Sequence, residues 1–321
     1  MKKETSFSKH IDLLFKTKHN AIYDYEFQKH LKKAPWESWL NQSNFFDVKE
    51  EYIEAFIHWI YSSKKNSFSE SLKDKKRYQR RDVIVGTTQS FDEAYFRYSD
   101  RRLRIFRGEY AYHRRCYENY AFLDSPAFSK EMPRMQSLDK NDWVIVSQPF
   151  CGTGQEHPKL KELLDQCLKK KIPVLIDCAW FGTCFDINFD LEHPAISEVS
   201  FSLTKGIGLG LMRTGLRFSN YPIKDNKPIA QQNHYKHLVL NNCQIGIYQM
   251  NQFSPDFQAL KYLDWYKKLC KKYAMIESNC LHISRLPLDH PFAKHFLVDE
   301  AYSKVGIREA LKAIRKKQLI L

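Results

Sequence analysis

Ser200–Arg213 reads SFSLTKGIGLGLMR, and this stretch decides how the rest of the chain is read. An apolar run ends in Ser202, Thr204 and Lys205, passes into a glycine-rich segment, and reaches Arg213. One amine beside hydroxyls and a guanidinium can reach a carbonyl carbon while its neighbours grip a phosphate. Arginine suits that grip because its planar fork makes two bonds to phosphate oxygens. By itself a Ser/Thr/Lys/Gly segment is often only a loop, so the flanking sequence has to agree with it.

Short β-branched or aromatic runs recur on both sides: Val83–Gly86, Leu103–Phe106, Ala121–Leu123, Trp143–Gln148, Val174–Cys178, Glu198–Leu203 and Gly215–Ser219. Several are almost continuously apolar, as in a sheet covered on both faces. Helical patterns lie between them. Pro158–Lys171 puts Leu160, Leu163, Leu164, Cys167 and Leu168 on one face with lysines opposite, and Pro158 suits a first helical turn. Gln89–Tyr98 and Tyr110–Tyr120 carry weaker helical patterns. The alternation predicts an α/β fold over residues 71–220, with three layers around a mixed, mostly parallel sheet of about seven strands. Residues 1–70 are mostly helical in pattern, notably Val48–Tyr61. Residues 221–321 open with the linker-like YPIKDNKP and hold a long amphipathic pattern over Asp256–Met275. They predict a smaller α+β domain, to which the N-terminal segment contributes.

Three further segments bear chemistry. Val174–Trp180, VLIDCAW, delivers Asp177 at the carboxyl end of an apolar strand, where ligands sit in α/β sheets. A carboxylate there can hold a pyridine nitrogen protonated, although an isolated acid at such a place is more often a helix cap or a surface group. Val83–Ser90, VIVGTTQS, has the outline of a phosphate cradle: a buried strand, a glycine, two threonines and a helix start. Trp143–Gly154, WVIVSQPFCGTG, ends a strand in a Pro/Gly-rich turn before the Pro158 helix.

In this order the four segments resemble the fold-type I pyridoxal-phosphate (PLP) enzymes, specifically the class I/II, aspartate aminotransferase-like family. The resemblance covers roughly residues 80–220. It implies PLP as cofactor, with Lys205 of Ser202-Leu203-Thr204-Lys205 forming the Schiff base and Asp177 partnering the pyridine nitrogen. Ser202, Thr87, Thr88 and Arg213 match phosphate contacts. Tyr110, within Phe106–His113 (FRGEYAYH), matches an aromatic stacked over the cofactor ring, and His113 matches a histidine behind the aspartate. Arg308, in SKVGIREAL, is the local match to the arginine that takes the substrate carboxylate, with Arg285 a weaker one. The resemblance further implies transamination between an amino acid, or another amine, and a keto acid. It also implies a homodimer in which a partner tyrosine reaches the phosphate, for which Tyr23 and Tyr25 are candidates.

The departures bear on the chemistry. Where the family usually has N-P-x-N-P-T-G, this chain has Gln148-Pro149-Phe150-Cys151-Gly152-Thr153-Gly154, so Cys151 replaces an asparagine that donates to the ring oxygen. Where it usually has D-x-A-Y, this chain has Asp177-Cys178-Ala179-Trp180, so Trp180 replaces a second donor. Donors to that oxygen favour the phenolate and lower the Schiff-base pKa, and a thiol is too weak to replace an amide. Their loss predicts a Schiff base that stays protonated to higher pH unless Gln148 or a water substitutes. It also raises decarboxylation, elimination or other α- or β-carbon chemistry as the alternative to transamination.

Bulk properties fit an enzyme of this kind. The 321 residues are 43% hydrophobic and 14% aromatic, enough for a substantial core, and no run approaches the roughly 20 apolar residues that cross a bilayer. Eight cysteines show no C-x-x-C pair or zinc-like spacing, so no metal site is expected. Free thiols and the lack of a leader-like N-terminus predict a cytoplasmic protein. The net charge of +14 suits anionic ligands. The basic run Leu72–Arg81, LKDKKRYQRR, also admits a third reading, a non-catalytic scaffold binding nucleic acid.

Overall fold

A computed structural model describes residues 13–16, 21–22, 24–40, 45–125, 135–235, 240–299 and 302–320. All seven expected strands form and join in one sheet. They are β1 (Arg80–Ile84), β2 (Arg102–Ile105), β3 (Tyr120–Phe122), β4 (Asp142–Ser147), β5 (Val174–Cys178), β6 (Ile196–Ser202) and β7 (Gly215–Ser219). The spatial order is β1-β7-β6-β5-β4-β2-β3. Strands β6, β5, β4, β2 and β3 are mutually parallel, and β7 runs antiparallel to both its neighbours. Every residue of β4, β5 and β7 is buried, which explains their continuous apolar runs. Ser147 pairs with Asp177, and Asp177 with Ser200, so the carboxyl ends of three strands lie level.

Among the described residues, the helices of seven residues or more are α1 (Tyr25–Leu31), α2 (Phe45–Tyr61), α3 (Thr87–Arg97), α4 (Leu160–Lys170), α5 (Pro228–His234), α6 (Leu240–Gln252), α7 (Phe257–Lys272) and α8 (Arg308–Arg315). The pleat of the sheet sorts its residues between two layers. Trp143, Ile145 and Leu175 meet Phe91, Ala94 and Tyr95 of α3. Val144, Val146, Val174 and Ile176 belong to the cluster holding Leu163, Leu164 and Cys167 of α4 with α2 and α6. Helices α2 and α6 both lie outside residues 71–220 in sequence, yet they are part of this central core. The helical pattern over Tyr110–Tyr120 yields only Tyr112–Cys116. The Tyr117 hydroxyl instead donates to the carbonyls of Tyr98 (2.7 Å) and Arg101 (2.5 Å), and the aromatic run from Tyr120 enters the sheet as β3.

A second cluster gathers α7 and α8 with Phe15 and Ile22. It includes Val305, whose two-residue strand Val305–Gly306 pairs with Ile283–Ser284, while Ile283 itself packs into the large core. A further short pair joins Leu297–Val298 to Tyr302–Ser303. Within the large core, the fully buried Arg217 of β7 ties Asp82 of β1 (2.8 Å) to Glu93 of α3, with Glu198 of β6 at 3.7 Å. A buried guanidinium answered by several carboxylates fixes the angle of α3 on the sheet, and with it the position of the helix start.

Candidate active site

Lys205 stands where β6 gives way to a one-turn helix, Leu203–Gly206. Ser202 caps that turn, its hydroxyl accepting from the Thr204 N–H (3.2 Å) and donating to the Thr204 hydroxyl (2.7 Å). Gln258 of α7 donates to the carbonyls of Lys205 (2.6 Å) and Gly206 (2.7 Å). The turn abuts the segment after β5 so closely that a Cβ on Gly182 (φ +86°) would meet the Gly206 Cα at 2.8 Å. This approach sets the Lys205 Nζ 3.6 Å from the centroid of the Trp180 ring. Burial lowers the Lys205 ammonium pKa, against the opposing charge of Asp177.

Asp177 ends β5, is 4% exposed, and accepts from the Ala179 N–H at 2.9 Å. Burial pushes its carboxyl up to about 6, while the Lys205 ammonium and the Thr87 hydroxyl act the other way. Beside it lies Glu109, a buried acid that no sequence signal singled out. Glu109 accepts from the Ser147 N–H (2.8 Å) and hydroxyl (2.7 Å), and that hydroxyl accepts from the Cys151 N–H (2.7 Å). Burial raises Glu109 to about 7 despite those donors.

The strand, glycine and helix start expected from VIVGTTQS form. Gly86 (φ +109°) opens α3, and a Cβ there would strike the Arg213 guanidinium at 2.8 Å. Arg213 donates to the Thr88 hydroxyl at 2.8 Å. An arginine guanidinium and a threonine hydroxyl therefore lie together at the first turn of an eleven-residue helix.

Tyr110 is 45% exposed and packs edge-on to His113 at 6.0 Å between ring centroids. His113 is wholly buried, and its Nδ1 pairs with the Tyr95 hydroxyl at 2.8 Å. Its Nε2 has no hydrogen-bond partner among the described residues, and burial drives its pKa down to about 3, so the ring is neutral. Cys151 meets Lys304, a buried lysine that sequence reading missed. The Lys304 Nζ donates to the Cys151 carbonyl at 3.0 Å and lies 3.4 Å from its thiol. One N–H of the Gln148 amide is taken by the Asn188 carbonyl at 2.8 Å.

Other sequence candidates lie elsewhere. Arg308 begins α8, lies 3.5 Å from Glu309, and lines a shallow cleft with Ile22, Tyr262 and Leu311. Arg285 donates to Gln155 at 3.0 Å and faces a separate cavity. Tyr25 is exposed at the start of α1, and Tyr23 lies outside the described residues. The basic run is largely engaged. Arg77 donates to the carbonyls of His193 and Ile196, Arg80 binds Asp82 at 2.7 Å, and Arg81 donates to the carbonyls of Leu72 and Lys73.

No protein-family model matches the sequence, and no curated protein matches it. Solved structures do match. The aromatic aminotransferase from Pyrococcus horikoshii superposes with a TM-score of 0.62 at 12% identity, over 94% of this chain and 95% of that one. A PLP-bound candidate aminotransferase from Clostridium difficile gives 0.60 at 11% identity, over 93% and 90%. The chain carries the PLP-transferase fold. A NifS-like protein from Rickettsia africae matches as well, with a TM-score of 0.58 at 13% identity over 94% and 99%. The PLP-transferase fold does not fix a reaction, so the activity has to be argued from the residues at the carboxyl edge of the sheet. No helix among the described residues is long and apolar enough to cross a membrane.

Proposed function

We propose that this protein is a PLP-dependent aminotransferase acting on an amino acid or another primary amine. One observation carries the reading: a lysine amine resting on a tryptophan face beside a buried carboxylate, at the same sheet edge as an arginine–threonine–helix anion cradle. The residues fit PLP group by group. Arg213, Thr88 and the start of α3 suit its phosphate, Asp177 its ring nitrogen, Lys205 its aldehyde and Tyr110 a ring face. Bound PLP supplies an electron sink for charge that develops at the substrate α-carbon.

The chain supplies the rest. Asp177, held in place by the Ala179 N–H, keeps a proton on the ring nitrogen. Lys205, with its amine pKa lowered by burial, would take a proton from the substrate α-carbon and return it to the cofactor's aldehyde carbon, as general base and then acid. Lys304 is the buried cation facing this site from the smaller domain, and it orients the substrate's acid group in the role the sequence reading gave to Arg308. The neutral His113 brings no competing charge behind the sheet edge. Leu211 (89% exposed) and Met212 form an apolar flank beside Arg213, which supports a homodimer. Seven buried free cysteines support a reducing, cytoplasmic setting.

Cys151 and Trp180, in place of two donors to the ring oxygen, favour the second reading of a PLP-dependent decarboxylase or lyase. The deciding experiment mixes the purified protein with PLP and records the visible spectrum, alongside Lys205→Ala. A band that borohydride fixes to Lys205 and the variant lacks establishes the cofactor. Amine transfer to a keto acid supports the first reading, and release of carbon dioxide or ammonia the second. No band and no PLP-linked stabilisation would refute both.

A further inference from the structure

A cavity of about 210 Å³ lies behind the loop that carries Cys151. Phe106, Asp124, Thr153 and His157 line it from the large domain, and Arg285 and Tyr302 from the smaller one. Lys205, Asp177 and Arg213 do not line it. The loop separates the two spaces. The Cys151 carbonyl and thiol meet Lys304, whereas the neighbouring Phe150 ring packs edge-on to Tyr302 at 5.5 Å.

Aromatic rings form much of the wall. Phe106 stacks on His157 with ring centroids 3.6 Å apart, and burial drives His157 down to about 3. Two polar groups facing the cavity are not fully engaged. Asp124 is 4% exposed; its Oδ1 accepts from the Arg107 N–H at 2.8 Å, while its Oδ2 has no partner among the described residues. Arg285 gives one N–H to Gln155, and its Nε has no partner among the described residues. The other charged groups of the lining are occupied: Lys159 pairs with Glu162 at 2.9 Å, and Glu156 accepts from the Asn188 N–H at 2.7 Å. A buried carboxylate oxygen without a donor is unfavourable unless something brings it one.

We propose that this cavity is a second small-molecule site for a compact aromatic zwitterion, its ammonium on Asp124, its carboxylate on Arg285 and its ring against Phe106 and Tyr302. A cation, an anion and aromatic rings lining one cavity of about 210 Å³ match the chemical groups of an aromatic amino acid. The occupant touches both domains, so it clamps Tyr302, two residues from Lys304, against the large domain. The assignment is independent of the proposed activity, since none of the groups proposed to hold PLP lines the cavity.

The test uses N,N-dimethylphenylalanine, a tertiary amine whose protonated form carries one N–H donor and which cannot condense with the PLP aldehyde. Calorimetric titration of the full chain, with and without PLP, is expected to show one equivalent bound to wild type and to Lys205→Ala alike. Asp124→Asn and Arg285→Gln are each expected to weaken binding at least tenfold. Arg285 has a solvent path, so its variant tests the site even if Asp124→Asn fails to fold. Absence of binding to wild type overturns the proposal. So does binding that disappears in Lys205→Ala or survives both cavity variants, because the probe then sits elsewhere.

Discussion

The Lys304 ammonium donates to the Cys151 carbonyl at 3.0 Å, joining the C-terminal part of the chain to the loop where the sequence departs from the usual aminotransferase pattern. This contact puts a buried positive charge next to the substrate space. Lys304→Met is expected to lower kcat/KM for acid-bearing amines by roughly ten- to a hundredfold, the equivalent of one charge-assisted hydrogen bond of about 1.5–3 kcal/mol. Lys304→Arg should recover part of it, and amines without an acid group should respond little. The same kinetics on Arg308→Gln should match wild type; a large loss there would return the role to Arg308.

The Arg213 guanidinium lies against Gly86 at the start of α3, where the proposed phosphate site falls. Arg213→Gln is expected to raise the dissociation constant for PLP by roughly ten- to a hundredfold while leaving folding intact. Gly86→Ala is expected to do more, because φ of +109° strains any side chain and the new Cβ strikes the guanidinium at 2.8 Å. Such backbone strain costs about 1–3 kcal/mol, so this variant should lose thermal stability as well as cofactor. Equilibrium dialysis and thermal melts together separate the two effects.

Glu109 predicts a pH dependence of stability. Its carboxyl rises from the ordinary 4.5 to about 7 on folding. Below pH 4.5 the group is protonated in both states and destabilises nothing. As pH rises to about 7 the unfolded chain gives up its proton first, and stability falls by an amount on the order of 3 kcal/mol. Glu109→Gln, which mimics the protonated acid, should flatten that fall in the cofactor-free protein. Denaturant midpoints between pH 5 and pH 8 check it, and parallel curves for the two proteins would count against a buried, proton-binding Glu109.

Trp180→Tyr combined with Cys151→Asn returns the two usual donors to the ring oxygen. The visible band of the Lys205-bound cofactor should then titrate at lower pH than in wild type. Equal titration midpoints would mean that Lys304 or another group already supplies the missing donation.

The strands were legible because each is a buried, nearly unbroken apolar run: Val144, Ile145 and Val146 can hardly be anything else between polar turns. Lys205, Asp177 and Thr88 were legible because each stands at the end of such a strand or at the helix start that follows one, and Arg213 because it stands just before the next strand. The smaller domain was not. Its strands are two residues long, so Ile283–Ser284 and Tyr302–Ser303 have no period to read. Lys304 lies just after one of these, and only the folded chain turns it toward Cys151. Helix α6, with the amide-rich sequence LNNCQIGIYQMNQ, hid for a related reason: Gln244 and Gln249 are buried alongside its apolar residues, which blurs the amphipathic stripe. Glu109 resembled any surface acid in a loop until Ser147 was seen to enclose it.

The pairing of α2 with α6 governs the order of assembly during synthesis. The Tyr52 ring of α2 lies so close to Gly246 of α6 that a Cβ there would meet it at 2.3 Å, and the Tyr52 hydroxyl reaches Thr214 at 3.0 Å. One of the first helices to leave the ribosome thus has to wait for one of the later ones before the sheet face between them is sealed. Through most of translation the apolar side of β4, β5 and β6 has only part of its cover, an interval in which a nascent chain depends on chaperones to stay off its neighbours.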